Sequence, residues 1–266
     1  MELLVCTKQV PDDSVSVSLD AAGAPALDGI TPVVNAFDTY ALEMAARFKE
    51  AHGGAVTVLG VGSADALTPS MRSCLAVGAD SAFVVAEEAD CDAAGIAHLL
   101  AQGAKKAGSF DVIFCGSEAT DTGCSQVGMF LAQELGIPVV ANVLALEPAE
   151  GGLTVKQETE DGYRTIAVSC PCVVTVVKPD YEPRYPSIKS KMAARKMPVN
   201  ALAAADIEAA ADIEAAADKF GPAAAKVARA AIAAPAKREA GVKIQEKDPA
   251  EAVRRCLELM AEQKLV

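Results

Sequence analysis

Phe110-Asp-Val-Ile-Phe-Cys115, followed by Gly116-Ser-Glu-Ala-Thr-Asp-Thr-Gly-Cys-Ser-Gln-Val-Gly128, sets a short apolar run directly before a polar, glycine-punctuated loop. A nearly unbroken apolar run of this length is expected of a strand buried on both faces of a parallel sheet. Beyond the loop, Val127, Phe130, Leu131 and Leu135 recur at helical spacing on one face, and Gly136 and Pro138 are stop signals. The unit is therefore strand, loop and helix, with the helix beginning around residue 123. Unpaired N–H groups at a helix start carry partial positive charge, and a phosphate satisfies them. The loop is neither a Walker A motif nor the dinucleotide fingerprint, because no lysine follows a glycine at the required spacing and Gly116, Gly123 and Gly128 lie too far apart. A plainer reading, in which Asp121 or Thr122 caps the helix, stays open at this point.

The same unit recurs toward the N-terminus. Leu3–Cys6, Val56–Gly62 and Ser81–Ala86 are apolar runs, and helical patterns follow at Asp38–Lys49, Leu67–Leu75 and Ala93–Ala107. Asp38 is expected to cap the first helix. Val15, Val17 and Leu19 alternate with serines and suggest an edge hairpin with Ala26-Leu27, turned at Gly23. Strands alternating with helices of this length predict βαβ crossovers and an α/β, doubly wound, mostly parallel sheet of the Rossmann-like, adenine-nucleotide-binding kind. Ligands bind such sheets past the carboxyl ends of the strands, at a switch in winding direction. The loops Cys6–Asp12, Asn35–Asp38, Val61–Ser63 and Gly116–Gly128 are then expected to share one crevice.

Composition narrows the function. The 266 residues carry a formal charge of −12, which argues against a nucleic-acid partner. Hydrophobic residues make up 52%, yet no run approaches the roughly 18–20 residues of a membrane span, so no membrane insertion is expected. Met1–Cys6 reads as a strand rather than a signal peptide, which with eight scattered cysteines suits a cytoplasmic protein with reduced thiols. Cys170 and Cys172 are expected to point to opposite faces, and no metal site is anticipated. His52 and His98 both fall in helices, and no nucleophile–base pattern is visible. A nucleotide site without catalytic residues suggests a cofactor carrier or a binding subunit.

After Pro138 the pattern changes. Runs at Val139–Leu146, Leu153–Gln157, Tyr163–Ser169 and Cys172–Val177, joined by Gly-containing turns, predict an antiparallel β extension. From Lys178 the strand pattern is lost. Lys189, Lys191, Arg195 and Lys196 make a basic helix with Tyr185, Ile188 and Met192 interleaved, a combination suited to docking a partner. The Ala-rich arm from Asn200 to Glu246 carries a duplicated hexapeptide, Ala205–Ala210 and Ala211–Ala216. Asp248-Pro249-Ala-Glu251 then starts a terminal helix striped by Val253, Cys256, Leu257 and Met260. The expected division is a nucleotide-binding domain over 1–198 and, over 199–266, an arm and terminal helix packing on a partner subunit.

These residues carry a family resemblance over almost the full chain. Val5-Cys-Thr-Lys-Gln-Val-Pro-Asp12, Asn35-Ala-Phe-Asp38 with Ala41-Leu-Glu43, Ala76-Val-Gly-Ala-Asp80, Asp121–Gly128, Val155–Val176 and Glu182-Pro-Arg-Tyr185 together resemble the β subunit of an electron-transfer flavoprotein. Ala36, Gln157 and Arg164 depart from the usual residues. The resemblance implies a heterodimer with an FAD-carrying α subunit, and electron transfer to an acyl-CoA dehydrogenase or reductase-type flavoprotein. It also implies a nucleotide in this subunit, either structural AMP or a second FAD reduced by NADH in a bifurcating complex. Lys8-Gln-Val-Pro-Asp12 and Asp38-x-x-Ala-Leu-Glu43 look more like the bifurcating branch. By position, cofactor contacts would fall on Cys6, Asn35, Val61, Asp121, Thr122, Gly123, Cys124, Ser125, Gln126 and Val127, and partner contacts on Tyr185, Ile188, Lys191 and Met192. The reading from another class, a stand-alone universal-stress-type nucleotide-binding protein, would leave the chain beyond residue 150 unexplained.

Overall fold

Residues 1–87, 91–203, 224–237 and 240–266 are described by a computed structural model. They form two units, Met1–Val17 with Pro25–Ala230 and Ser18–Ala24 with Ala231–Val266. In the larger unit, strands β1 (Glu2–Cys6), β4 (Ala55–Gly62), β5 (Ser81–Ala86) and β6 (Val112–Gly116) alternate with helices α1 (Ala36–His52), α2 (Ala64–Val77) and α3 (Ala93–Ala107). Helix α4 (Val127–Leu135) follows, then β7 (Val139–Ala149), β8 (Gly152–Thr159), β9 (Gly162–Ser169) and β10 (Cys172–Val176). Helix α5 (Ile188–Ala194) and strand β11 (Val199–Ala203) close the unit's described elements.

The sheet runs β11-β5-β4-β1-β6-β10-β7-β8-β9, parallel from β11 through β7 and antiparallel at β8 and β9. Alternation along each strand divides the core between its two faces. Leu3 and Val5 pack with Leu42, Phe48 and Met71 of α1 and α2, whereas Leu4 and Cys6 pack with Leu99, Leu100 and Leu131 of α3 and α4. The chain winds outward from β1 to β4 and β5, then crosses to β6 on the other side of β1. The α/β doubly wound fold is as expected, and the switch in winding lies between the ends of β1 and β6.

Several local expectations are corrected. A turn forms at Gly23, as expected, with the Asp20 amide donating to the Ala24 carbonyl, but the paired strands are β2 (Gln9–Pro11) and β3 (Pro32–Val34), while Val15, Val17 and Leu19 are exposed. Alternation in that segment reports no buried face. The run 172–177 is not part of the antiparallel extension, because β10 inserts between β6 and β7, parallel to both. Strand β11 pairs with β5 although its burial is only partial, which is why no strand pattern shows after Lys178. Phe130 is exposed and does not share the buried face of Leu131. Cys170 and Cys172 are not two residues of one strand pointing to opposite faces, because Cys170 lies before β10 begins, and their side chains interact.

The hexapeptide repeat lies outside the described residues. In the smaller unit, helix α6 (Pro249–Glu262) starts as its sequence predicts: the Asp248 carboxylate accepts from the Ala250 amide, with proline in the first turn. Its residues are all at least partly exposed, Val253 and Leu257 among the most open.

Candidate nucleotide site

Three loops meet where the winding reverses. Lys8 leaves β1, Asn35 and Asp38 open α1, and Gly116 begins the long loop to α4. Asn35 is 1% exposed. Its side chain does not cap α1 but reaches across, donating to the Glu118 carbonyl at 2.8 Å and accepting from the Thr120 amide at 3.0 Å. Its own amide donates to the Lys8 carbonyl at 2.9 Å. Asn35 therefore knits the first loop to the fourth, and its side chain is already engaged.

Asp38 is not the helix cap that its position suggested. Asn35 occupies that place, and Asp38 is buried in the first turn of α1. Its carboxylate accepts from the Lys8 amide at 2.7 Å and the Gly116 amide at 3.1 Å. Desolvation pushes its pKa up to about 7, against the lowering effect of the Lys8 amide, the Asn35 side chain and the Gly116 amide. Gly116 is required beside it, because a Cβ there would lie 2.4 Å from Asp38 Oδ1 and 2.8 Å from Phe37 Cβ.

The loop Asp121–Gln126 is exposed. Asp121 does not cap α4; it takes the Lys8 ammonium on both oxygens, at 2.7 and 2.8 Å. Thr122 and Gly123 amides both donate to the Ala119 carbonyl, and Gly123 has φ 58°. Cys124 Sγ sits 3.5 Å from the Thr122 carbonyl, and the Ser125 hydroxyl donates to Glu118 Oε2 at 3.3 Å. Helix α4 begins at Val127, later than the residue 123 that the sequence suggested, because Ser125 at φ 53° interrupts the turn. Gln126 precedes it without any side-chain cap. The first amides of the helix thus have no acceptor within it. A left-handed residue followed by a right-handed one also aims successive N–H groups into one concavity, a geometry that takes anions.

The other expected contacts divide. Val61 stands partly buried at the end of β4, beside the end of β1. Cys6 is buried, and its thiol is pushed well up, first by the Cys115 side chain and then by burial, so only its backbone is suited to meet a ligand. Thr7, next in the chain, falls in the loop expected at the crevice but was not among the residues named as contacts. Its hydroxyl is buried with no hydrogen-bond partner among the described residues, a costly state that a polar ligand group would relieve.

The residues expected to dock a partner lie elsewhere, on and before α5. Tyr185, Ile188 and Met192 are 94%, 81% and 58% exposed, and Lys191 is exposed beside them. What precedes them is anchored. Glu43 of α1, 3% exposed, takes Arg184 Nε at 2.8 Å, the Arg184 amide at 3.2 Å and Arg47 Nε at 2.6 Å. The Arg47 guanidinium lies 3.9 Å over the Tyr181 ring, and Arg184 reaches on to Glu50 at 3.0 Å. Glu43 was legible only as part of a family motif, since a glutamate at helical spacing usually faces solvent.

The electron transfer flavoprotein domain model matches residues 28–207. The chain is 37% identical over 212 residues to an electron transfer flavoprotein subunit beta of Thermoanaerobacterium thermosaccharolyticum, covering 78% of this chain and 80% of that protein. It is 36% identical to the caffeyl-CoA reductase-Etf complex subunit CarD of Acetobacterium woodii, covering 75% and 77%. To the acryloyl-CoA reductase electron transfer subunit gamma of Anaerotignum propionicum it is 31% identical, covering 76% and 77%.

Proposed function

This chain belongs to the electron transfer flavoprotein family, as a β subunit, and from that membership we propose that it holds FAD on the open end of α4 within a bifurcating heterodimer. The observation that carries the reading is the uncapped start of α4 beside the winding switch, with the Thr7 hydroxyl left without a partner nearby in sequence to β1's end. A cradle of amides from Ser125 to Val127 suits a pyrophosphate, and the positive end of the helix offsets its charge. Ser125 and Thr122 hydroxyls would add hydrogen bonds, and Gly123 keeps the approach open, as only Glu118 Oε2, at 4.0 Å, would meet a Cβ there. The backbone at Cys6 and Val61 would bound the adenosine, while Asn35 and the Lys8–Asp121 pair fix the loops around it. A bound flavin supplies the electron-accepting chemistry; the protein supplies position and electrostatics.

Bifurcation is favoured over a structural AMP by the Lys8–Asp12 and Asp38–Glu43 motifs and by likeness to two subunits named for CoA-ester reductase complexes. NADH is then the electron donor, an acyl-CoA dehydrogenase or reductase the acceptor, and Tyr185, Ile188, Lys191 and Met192 its docking face. The exposed stripe of α6 is assigned to the α subunit. Among the described residues no helix is long and apolar enough to cross a membrane.

The test is to purify the chain with its α subunit, denature the complex and count released nucleotides. Two FAD per heterodimer support the proposal, and one FAD with one AMP replaces it by the non-bifurcating reading. Ser125→Ala and Gln126→Ala should each lower occupancy of the second nucleotide. Full occupancy in both removes the α4 assignment.

A further inference from the structure

Two loops of the crevice share one buried carboxyl group, which forms no ion pair among the described residues. Asp38 lies at the third helical position of α1, where the helix dipole favours an anion, and both of its oxygens accept from main-chain amides of the two loops that flank the winding switch. The lysine nearest in sequence to this contact, Lys8, spends its ammonium on Asp121 instead. We propose that Asp38 is the positioning residue of the nucleotide crevice: by accepting from the Lys8 and Gly116 amides at once, its ionised carboxylate sets the spacing of the β1–β2 and β6–α4 loops that the nucleotide requires. The inference rests on the nucleotide reading given above.

The chemistry requires the ionised form. A carboxylate presents only acceptors to two N–H donors, whereas a protonated acid or an asparagine amide turns one donor of its own toward one of them. One of the two loops must then give way. Burial brings this change within reach of ordinary conditions, since the Asp38 pKa is pushed up to about 7. The groups that interact with it electrostatically are the Lys8 ammonium, paired with Asp121, and two thiols. Cys6 on β1 and Cys74 on α2 are buried thiols held neutral, the first well above its ordinary value and the second at about 12. On β6, Cys115 is engaged with Cys6.

The test uses the full chain in complex with its α subunit, with AMP and FAD as separate probes, from pH 6 to pH 8.5. Affinity in the wild type is expected to fall roughly tenfold from pH 8 to pH 6, as a site that binds only the ionised form demands. Asp38→Asn should bind more weakly at pH 8 and lack this component. The phosphate monoester of AMP ionises near pH 6 on its own account, which persists in the variant and cancels in the comparison. A readout independent of any variant is the amide resonances of Lys8 and Gly116, expected to titrate together with one midpoint near pH 7. Nucleotide retained equally at pH 6 and pH 8 by wild type and variant overturns the inference while leaving the nucleotide reading standing. So do Lys8 and Gly116 amides that fail to titrate. Retention of neither probe in this subunit at any pH overturns the nucleotide reading, and the inference with it.

Discussion

Glu43→Gln removes one negative charge from the centre of the anchor that presents the docking loop, and its cost can be worked from the contacts. In the wild type the buried carboxylate takes four hydrogen bonds of 2.6–3.3 Å, one from Arg47, two from the Arg184 guanidinium and one from the Arg184 amide. Hydrogen bonds to a charged acceptor contribute about 1.5–3 kcal/mol and neutral ones about 0.5–1.5, so the change removes about 1 kcal/mol per arginine. The amide also turns a donor toward one guanidinium. Against this, the arginine side chains are 48% and 32% exposed and regain water. The net expectation is a loss of about 2 kcal/mol. For a chain of this size that lowers the melting temperature by roughly 4–8 °C. Glu50→Gln, at the outer end of the same cluster with a 56% exposed side chain, should cost no more than about 1 kcal/mol and less in high salt. Calorimetry of both variants across pH supplies the assay. Burial pushes the Glu43 pKa up, but the Arg184 and Arg47 hydrogen bonds outweigh it and leave it below the ordinary value. The carboxylate's contribution is thus present above the unfolded pKa and lost as pH falls through the folded one, so wild type and Glu43→Gln should converge only at a pH below the ordinary glutamate range. A Glu43→Gln melting temperature within about 1 °C of wild type at pH 7 would refute the assignment of Glu43 as anchor.

Three further outcomes are expected. Gly116→Ala drives a Cβ into Asp38 and Phe37 and should cost about 1–3 kcal/mol by crowding, whereas Gly123→Ala meets only Glu118 Oε2 at 4.0 Å and costs the roughly 1–2 kcal/mol of its left-handed backbone; a denaturant midpoint for Gly116→Ala equal to wild type would contradict the packing. Ile188→Ala should slow electron delivery to the acceptor dehydrogenase while leaving nucleotide content and melting temperature unchanged, because the side chain is 81% exposed; a fall in either content or stability would show that it packs rather than docks. Asp38 has a folded pKa of about 7, above its unfolded value, so the native chain holds a proton that the unfolded chain releases between about pH 4 and pH 7. Stability from this group therefore falls as pH rises through that window, by up to about 1.4 kcal/mol per pH unit, and Asp38→Asn should flatten the slope in urea titrations at pH 5, 6 and 7. Parallel curves would place the ionisation elsewhere.

Much of the fold was legible because burial leaves a periodic mark. Val56–Gly62, Ser81–Ala86 and Val112–Cys115 are continuous apolar runs because both faces of a parallel strand are covered, and Ala93–Ala107 reads as a helix from its spacing alone. Gly136 ends its helix where the sequence placed the stop. The polar loop and the helix after β6 were visible for the same reason, but not the helix's start at Val127 or its lack of a side-chain cap. An apolar run does not carry the identity of its neighbour, however. Cys172–Val176 has the same appearance whether it continues a meander or inserts in parallel between β6 and β7, and only the tertiary structure chose the second. Asp38 and Glu43 were likewise ambiguous. An aspartate in a first helical turn is usually a cap and a glutamate in mid-helix is usually solvated, so local sequence favoured the wrong environment for both. Their partners lie 30 and 78 residues away for Asp38 and 141 for the Glu43–Arg184 pair. Sequence alone determined which segments had to be buried and which loops were left polar; the three-dimensional path determined which distant amides and guanidiniums those carboxylates met, because hydrogen bonds depend on separations in space that no local pattern encodes.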